Sequence, residues 1–177
     1  MIVYDTRIER VPGTTNGYTG SVKRPIFWIG AALLAAGIAG AEDLETPMLA
    51  AHNAVRATVK APPLVWSQNL AHVAQEWANT LIGQRAITHR PKSKYGENIY
   101  VVEGSKATAE KAVERWASEA ANYDRKSNKC TGSCGHYTQV VWSGTKEVGC
   151  GVARERGREV WVCEYNPPGN FVGQRPY

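Results

Sequence analysis

The chain has 177 residues, enough for one domain of ordinary size, and its hydrophobic content of 43% suits a packed core. Its formal net charge of +5 is mild, and the sequence has no block of basic residues and no recognisable nucleic-acid-binding motif. Length, composition and charge therefore argue against a disordered chain and against a nucleic-acid-binding domain.

An export signal is predicted near the N-terminus. Lys23 and Arg24 precede the apolar stretch 25–40, and Ala39 and Ala41 have the spacing of small residues before a cleavage site. The apolar stretch is shorter than the ~20 residues that cross a bilayer. Cleavage is thus favoured over an uncleaved membrane anchor, which is the alternative.

The folded part is predicted to begin at Glu42. The segment 1–21 is polar and matches no usual part of an export signal, which suggests that translation starts at Val22. Residues 1–41 are therefore interpreted as an N-terminal extension and signal, and residues 42–177 as the single domain.

Three helices are predicted in the first half of the domain, because apolar residues recur there at helical spacing. The first begins at Thr46-Pro47 and reaches Lys60, the second follows Ser67 as its cap and ends near Gly83, and the third begins after Ser105. The apolar positions are Met48, Ala51, Val55 and Val59 in the first helix, Leu70, Val73, Ala74, Trp77 and Leu81 in the second, and Ala109, Val113, Trp116 and Ala120 in the third.

Short strands are predicted in the second half. An apolar run at 99–102 comes first, and the segments 137–142, 147–154 and 159–166 follow with the composition of strands. Helices followed by an antiparallel sheet indicate an α+β domain in which the helices pack on the sheet.

The four cysteines are predicted to form two disulfides, since an exported chain meets oxidising conditions. A zinc site is the alternative, but the spacings match no familiar zinc module. A two-residue turn at 156–157 places Cys150 opposite Cys163 in a hairpin, with Cα atoms ~4.5 Å apart, which permits a disulfide. By elimination, Cys130 would pair with Cys134.

Histidines and glutamates from separate elements are the candidate functional residues. Such side chains can converge only in the fold, either as a metal site or as a structural hydrogen-bond network. They are His52 beside the apolar stripe of the first helix, His72 on the surface of the second, His89 in the loop that follows, His136 at the start of a predicted strand, Glu97 before the run 99–102, and Glu119 three residues after Trp116.

Five motifs together resemble the CAP superfamily, which comprises cysteine-rich secretory proteins, antigen 5 and pathogenesis-related 1 proteins and is defined by the SCP domain. The motifs are "AHNAVR", "YGEN", "GHYTQVVW", "VGCGVA" and "CEYNPPGN", and the similarity covers residues 46–169. The resemblance implies a three-layer α-β-α sandwich with a small antiparallel sheet.

The resemblance also implies a cleft lined by two histidines and two glutamates. By motif these are His89, Glu97, Glu119 and His136, with His89 and His136 as the ligands of Zn²⁺ or another divalent cation. Arg90, which follows His89, departs from the serine common in relatives and is expected to weaken cation binding or favour an anionic ligand.

The function implied by the resemblance is a secreted binding module for a small hydrophobic ligand, such as a sterol or a fatty acid. The ligand is expected in a groove between the first and third helices. A metal-dependent hydrolase with Glu97 or Glu119 as the base is the alternative, and a protein-interaction module is a third. Thiol catalysis by Cys134 with His136 is disfavoured, because Cys134 is expected to be oxidised in a disulfide and would have no thiolate to offer.

Overall fold

The computed structural model describes residues 43–177, so the predicted export signal lies outside the described residues. Four α-helices and six strands follow one another along this part of the chain. The helices are α1 (Glu45–Thr58), α2 (Gln68–Leu81), α3 (Ala109–Ala117) and α4 (Gly135–Val140), with a 3₁₀ helix at Ser118–Asn122. The strands are β1 (Val65–Trp66), β2 (Gly96–Glu103), β3 (Tyr123–Asp124), β4 (Lys129–Cys130), β5 (Glu147–Glu155) and β6 (Arg158–Asn166).

The main sheet has four strands in the order β1-β5-β6-β2. Strands β5, β6 and β2 are antiparallel, while the two-residue β1 pairs parallel with β5. The predicted α+β class and the sandwich are confirmed, with a sheet that is mixed because of β1. Strands β3 and β4 form a separate small hairpin.

The β5–β6 hairpin has the predicted register. Glu155 pairs with Arg158 around the two-residue turn, which brings Cys150 opposite Cys163. These two cysteines are bonded, with their Cα atoms 4.1 Å apart, and Cys130 is bonded to Cys134. Both predicted disulfides are therefore confirmed.

Helices cover both faces of the sheet. On one face, α1, α3 and α4 pack on alternate strand residues that include Tyr100 and Trp161. On the other face, α2 packs on residues that include Val101 and Val160. Helix α2 lies so close to β5 that a Cβ atom on Gly149 would be 2.1 Å from the backbone nitrogen of Ala71. The backbones of α2 and β5 are consequently in direct contact at this point.

The strand predicted at 137–142 is wrong, because this segment begins with α4. Its residues from His136 to Val140 are all buried, and a short segment in which every residue is buried has no periodicity that separates a strand from a helix. His136 consequently lies in the first turn of a helix and not at the mouth of a strand.

The ends of two other helices differ from the prediction. Helix α1 begins at Glu45, before Thr46, and Asp43 Oδ1 accepts hydrogen bonds from the backbone N–H groups of Glu45 and Thr46. Helix α3 ends at Ala117, so Ala120 belongs to the 3₁₀ helix and is exposed. The predicted apolar stripe of the third helix is therefore one residue too long.

Buried Arg56 connects α1 to the end of α4. Its guanidinium Nη1 donates to the carbonyl oxygens of Val140, at 2.8 Å, and Trp142, at 2.9 Å. Burial lowers the pKa of Arg56 to about 10. Three backbone carbonyls in all accept from Nη1 and Nη2, which fixes the position of α4 against α1. No helix among the described residues has the length and hydropathy needed to cross a membrane.

Candidate functional site

Glu119 holds His136 and the start of α4 at the same time. Its Oε1 lies 2.8 Å from His136 Nδ1, and its Oε2 accepts from the backbone N–H groups of His136, at 2.9 Å, and Tyr137, at 3.3 Å. Burial alone would raise the pKa of Glu119, but the hydrogen bonds and charge of His136 and the backbone bonds outweigh it, and the pKa is lowered. The ionised carboxylate accepts only, so His136 Nδ1 carries a proton.

A second histidine–carboxylate pair lies on the other side of β2. The Nδ1 atom of His89, in the loop between α2 and β2, contacts Oε1 of Glu97, the second residue of β2. The same oxygen accepts from the backbone N–H of Arg90 at 3.1 Å. Each predicted cleft histidine is thus oriented through Nδ1 by one predicted cleft glutamate.

Asn98 connects the two pairs. Its side chain donates to the carbonyl oxygen of His136, at 3.1 Å, and to the hydroxyl of Tyr165, at 3.2 Å. Since neighbouring strand residues point to opposite faces, Glu97 is directed towards α2 while Asn98 is directed towards α4. The structure therefore places the four predicted residues around the first residues of β2, which is an edge strand of the sheet.

His52 and His72 lie outside this site. His52 is fully buried, with Nδ1 2.8 Å from the carbonyl oxygen of Met48 and Nε2 2.8 Å from the hydroxyl of Tyr165. Burial lowers the pKa of His52 to about 4, so the imidazole is neutral. His72 is on the surface, with 75% of its side chain exposed. His52 is a structural histidine, because hydrogen bonds occupy both of its ring nitrogens.

The guanidinium of Arg90 is directed towards α2. Nη1 donates to the carbonyl oxygen of Val73 at 2.9 Å, and Nη2 lies 3.3 Å from a carboxylate oxygen of Glu76. The expected effect of Arg90 on cation affinity stays a prediction. The contacts of its side chain with Val73 and Glu76 give no support for an anionic ligand held by this residue.

Sequence reasoning missed Glu164, which lies directly opposite Glu97 in the β2–β6 register. The side chain is fully buried, and burial, followed by the nearby Glu97, raises the pKa of Glu164 to about 9. Seven consecutive residues of β6 are buried, and an acidic side chain is costly to bury. An acidic residue directly after the apolar run 160–163 is therefore the sequence signal that could have identified Glu164.

Two arrangements limit the chemistry of the site. Cys134 is bonded to Cys130, so it has no thiol to offer His136. Within residues 43–177, no group of three or more His, Cys, Asp and Glu side chains is arranged to hold a metal ion.

Comparison with known proteins identifies the family. The model of CAP, the cysteine-rich secretory protein family, matches residues 49–165. The chain belongs to the CAP family. It is 42% identical over 140 residues to pathogenesis-related protein 1B of Nicotiana tabacum, covering 77% of this chain and 83% of the relative. It is 38% identical over 138 residues to pathogenesis-related protein 1 of Arabidopsis thaliana, covering 77% of this chain and 84% of the relative.

Solved CAP-like structures share the fold. Venom allergen-like protein 4 of Schistosoma mansoni matches with a TM-score of 0.62 and 26% identity, over 77% of this chain and 95% of that chain. The structure of NaASP2 with Zn²⁺ matches with a TM-score of 0.60 and 25% identity, over 77% of this chain and 86% of that chain. The predicted family and sandwich fold are thus both confirmed.

Proposed function

We propose that this CAP protein is a secreted binding module that holds a divalent cation, Zn²⁺ in the first instance, through His89 and His136. The observation that carries the proposal is that each imidazole has its Nδ1 against a carboxylate, that of buried Glu97 or that of partly buried Glu119. Metal-binding histidines characteristically have this arrangement, in which a carboxylate fixes the tautomer and makes the ligand more basic. The nitrogen directed to the cation is then Nε2.

The donor set fits zinc. Neutral imidazoles are common ligands of Zn²⁺, and the solved structure of NaASP2 contains this ion. His89 and His136 would bind the ion, while Glu97 and Glu119 would orient them. Bound zinc acts as a Lewis acid, which polarises the group it binds. Both carboxylates are already engaged by imidazole and backbone N–H groups, which supports binding in preference to the alternative of hydrolysis with Glu97 or Glu119 as the base.

Secretion forms part of the proposal. Both disulfides are of the kind that persist in oxidising compartments, and the family is named for secretory proteins. The sequence motif around Ala39 and Ala41 supplies the predicted route of export.

The small hydrophobic ligand, a sterol or a fatty acid, stays a second proposal with less support from the geometry. Met48 of α1 and Ala109, Val113 and Trp116 of α3 belong to one buried cluster. Side chains of the two helices therefore fill the space in which the groove was expected. Protein interaction remains the further alternative.

Calorimetric titration of the exported protein with Zn²⁺ tests the cation proposal. The wild type should bind zinc saturably, and the double variant His89→Ala, His136→Ala should not. The exposed His72→Ala variant is the matched control and should bind as the wild type does. Absence of saturable binding to the wild type refutes the proposal. A double variant that unfolds, as judged by circular dichroism, supports a structural network instead.

A further inference from the structure

A pair of buried carboxyl groups lies beside His89. Glu97 and Glu164 are direct partners across the β2–β6 ladder, so their side chains project from the same face of the sheet, towards α2. Glu97 is 5% exposed and Glu164 0%. Two acidic side chains in such positions lie close together and out of water, where an ionised carboxylate is costly unless it is paired.

Of the four oxygens in these two carboxyl groups, only Oε1 of Glu97 has hydrogen-bond donors among the described residues. Oε1 of Glu97 contacts His89 Nδ1 and accepts from the backbone N–H of Arg90. Oε2 of Glu97 and both oxygens of Glu164 are buried and have no hydrogen-bond partner among residues 43–177. Two carboxylates cannot satisfy one another, because both only accept, whereas a proton on one of them makes it a donor.

If Glu97 and Glu164 were both ionised, the groups that face them would not neutralise both negative charges. Helix α2 carries Glu76 and His72, whose side chains are largely exposed, and β5 presents Gly149 and Gly151 against α2. The guanidinium of Arg90 donates to α2 and Glu76, although its charge does act on Glu164. A single cation with two other partners does not balance two buried carboxylates, and carboxylates that share a buried site retain one proton between them.

We propose that Glu164 is a neutral carboxylic acid whose proton is shared with Oε2 of Glu97, and that this shared proton positions Glu97 against His89. Glu164 is then a positioning residue that acts on the cation ligand through Glu97. Both oxygens of Glu97 are fixed in this arrangement, one by His89 and Arg90 and the other by Glu164. The pair carries one negative charge instead of two beside the imidazole.

Carbon-13 NMR of the exported protein, labelled at the glutamate carboxyl carbons, tests the protonation directly and needs no metal. The Glu164 signal is assigned by its loss in Glu164→Gln. We expect it at the position of a protonated carboxylic acid at neutral pH, and unmoved when the exposed glutamates titrate. A Glu164 signal at the carboxylate position at neutral pH overturns the proposal.

Two variants test the positioning role, and this arm rests on the proposed zinc function. Glu164→Gln keeps a donor for Glu97, whereas Glu164→Leu is also neutral but has none. We expect the Gln variant to retain the zinc affinity within about twofold, and the Leu variant to lose on the order of tenfold, as outer partners of metal ligands do. An equal affinity in both variants contradicts positioning by a donated hydrogen bond.

The two proposals fail in different ways. If the wild type binds no zinc, the cation function fails, and the NMR signal still decides whether Glu164 is protonated. If the Leu variant does not fold, the comparison of Glu164→Gln with the wild type decides the positioning role. A tenfold loss in the Gln variant would then show that the ionised carboxylate was required, against the proposal.

Discussion

Asn98 donates a hydrogen bond to the carbonyl oxygen of His136 over 3.1 Å, across 38 positions of the chain. This bond ties strand β2, which carries Glu97, to helix α4, which carries His136. The two histidine–carboxylate pairs approach β2 from opposite faces, so their relative position depends on a connection of this kind. Asn98 therefore contributes to the geometry of the predicted cleft, although it is not one of its four residues.

Replacement of Asn98 by Ala should lower both stability and zinc affinity. The side chain is 1% exposed, and its loss leaves the carbonyl oxygen of His136 buried without this donor, which costs about 1–3 kcal/mol of unfolding free energy. We expect a loss of zinc affinity on the order of tenfold as α4 shifts against β2. Urea unfolding and calorimetric titration measure the two effects.

Asn53→Ala is the matched control for Asn98→Ala. Asn53 exchanges two hydrogen bonds with the backbone of Leu64, away from both histidine–carboxylate pairs. Its replacement should also lower the unfolding free energy but leave the zinc affinity unchanged. If both variants weaken zinc binding equally, the effect of Asn98 is one of general stability.

His52 should make the fold sensitive to acid. Its pKa is lowered to about 4 by burial, so between about pH 6.5 and pH 4 the unfolded chain binds a proton that the folded chain does not. This contribution to stability is complete above pH ~6.5 and is lost as the pH falls, to a total of roughly 3 kcal/mol. Urea unfolding at several pH values measures it.

The effect of His52 is measured as the difference between His52→Gln and the wild type in how the unfolding free energy changes with pH. Glu164, with its raised pKa, contributes the opposite slope above its ordinary titration range, because its protonated form is favoured in the folded state. His52→Gln should lower the stability at neutral pH yet flatten the loss on acidification. His72→Gln should leave the slope unchanged, since His72 is exposed. Equal slopes in His52→Gln and the wild type would disprove the assignment.

Removal of the Cys150–Cys163 disulfide should lower the unfolding free energy by ~2–4 kcal/mol. The bond closes a segment of 13 positions, and both side chains are buried, whereas Cys130 and Cys134 are four positions apart. Because a shorter loop constrains the unfolded chain less, the double variant Cys130→Ala, Cys134→Ala should lose less. Chemical unfolding of the two double variants makes the comparison, and the reverse order contradicts it.

Ala109→Phe distinguishes a packed interface from a ligand groove between α1 and α3. Ala109 is buried in the cluster that contains Met48 and Trp116. A larger side chain should overpack this cluster and lower the unfolding free energy by about 1–3 kcal/mol. Ala120→Phe, at an exposed position, should have little effect. If Ala109→Phe keeps its stability and abolishes saturable fatty-acid binding shown by the wild type, a ligand groove is present.

Turn chemistry and alternation in the sequence predict the β5–β6 hairpin correctly, because the turn at 156–157 determines every pair beyond it, including Cys150 with Cys163. The partner of β2 has no comparable signal, since the chain between β2 and β6 is long. The register that brings Glu164 opposite Glu97 is therefore a property of the tertiary fold, and residue patterns alone did not predict the carboxyl pair.

Helix α4 shows a different limit of sequence reasoning. Its five consecutive buried residues, His136 to Val140, give neither alternation nor helical spacing, and Thr138, Val140 and Val141 have the preferences of strand residues. The first amides of this helix donate to Glu119, a side chain from another segment. The resemblance to a known family identified His136 and Glu119 as site residues, but it did not predict that Glu119 caps the helix.

The double attachment of Glu119 makes the amide protons of His136 and Tyr137 reporters of the site. Both amides donate to Glu119 Oε2, while Oε1 holds the imidazole of His136. Exchange of these two protons with solvent requires an opening that also releases the ring. A bound ligand or a substitution that restrains the His136 ring should therefore slow exchange at both amides. Conversely, opening of the first turn of α4 should allow the imidazole to reorient.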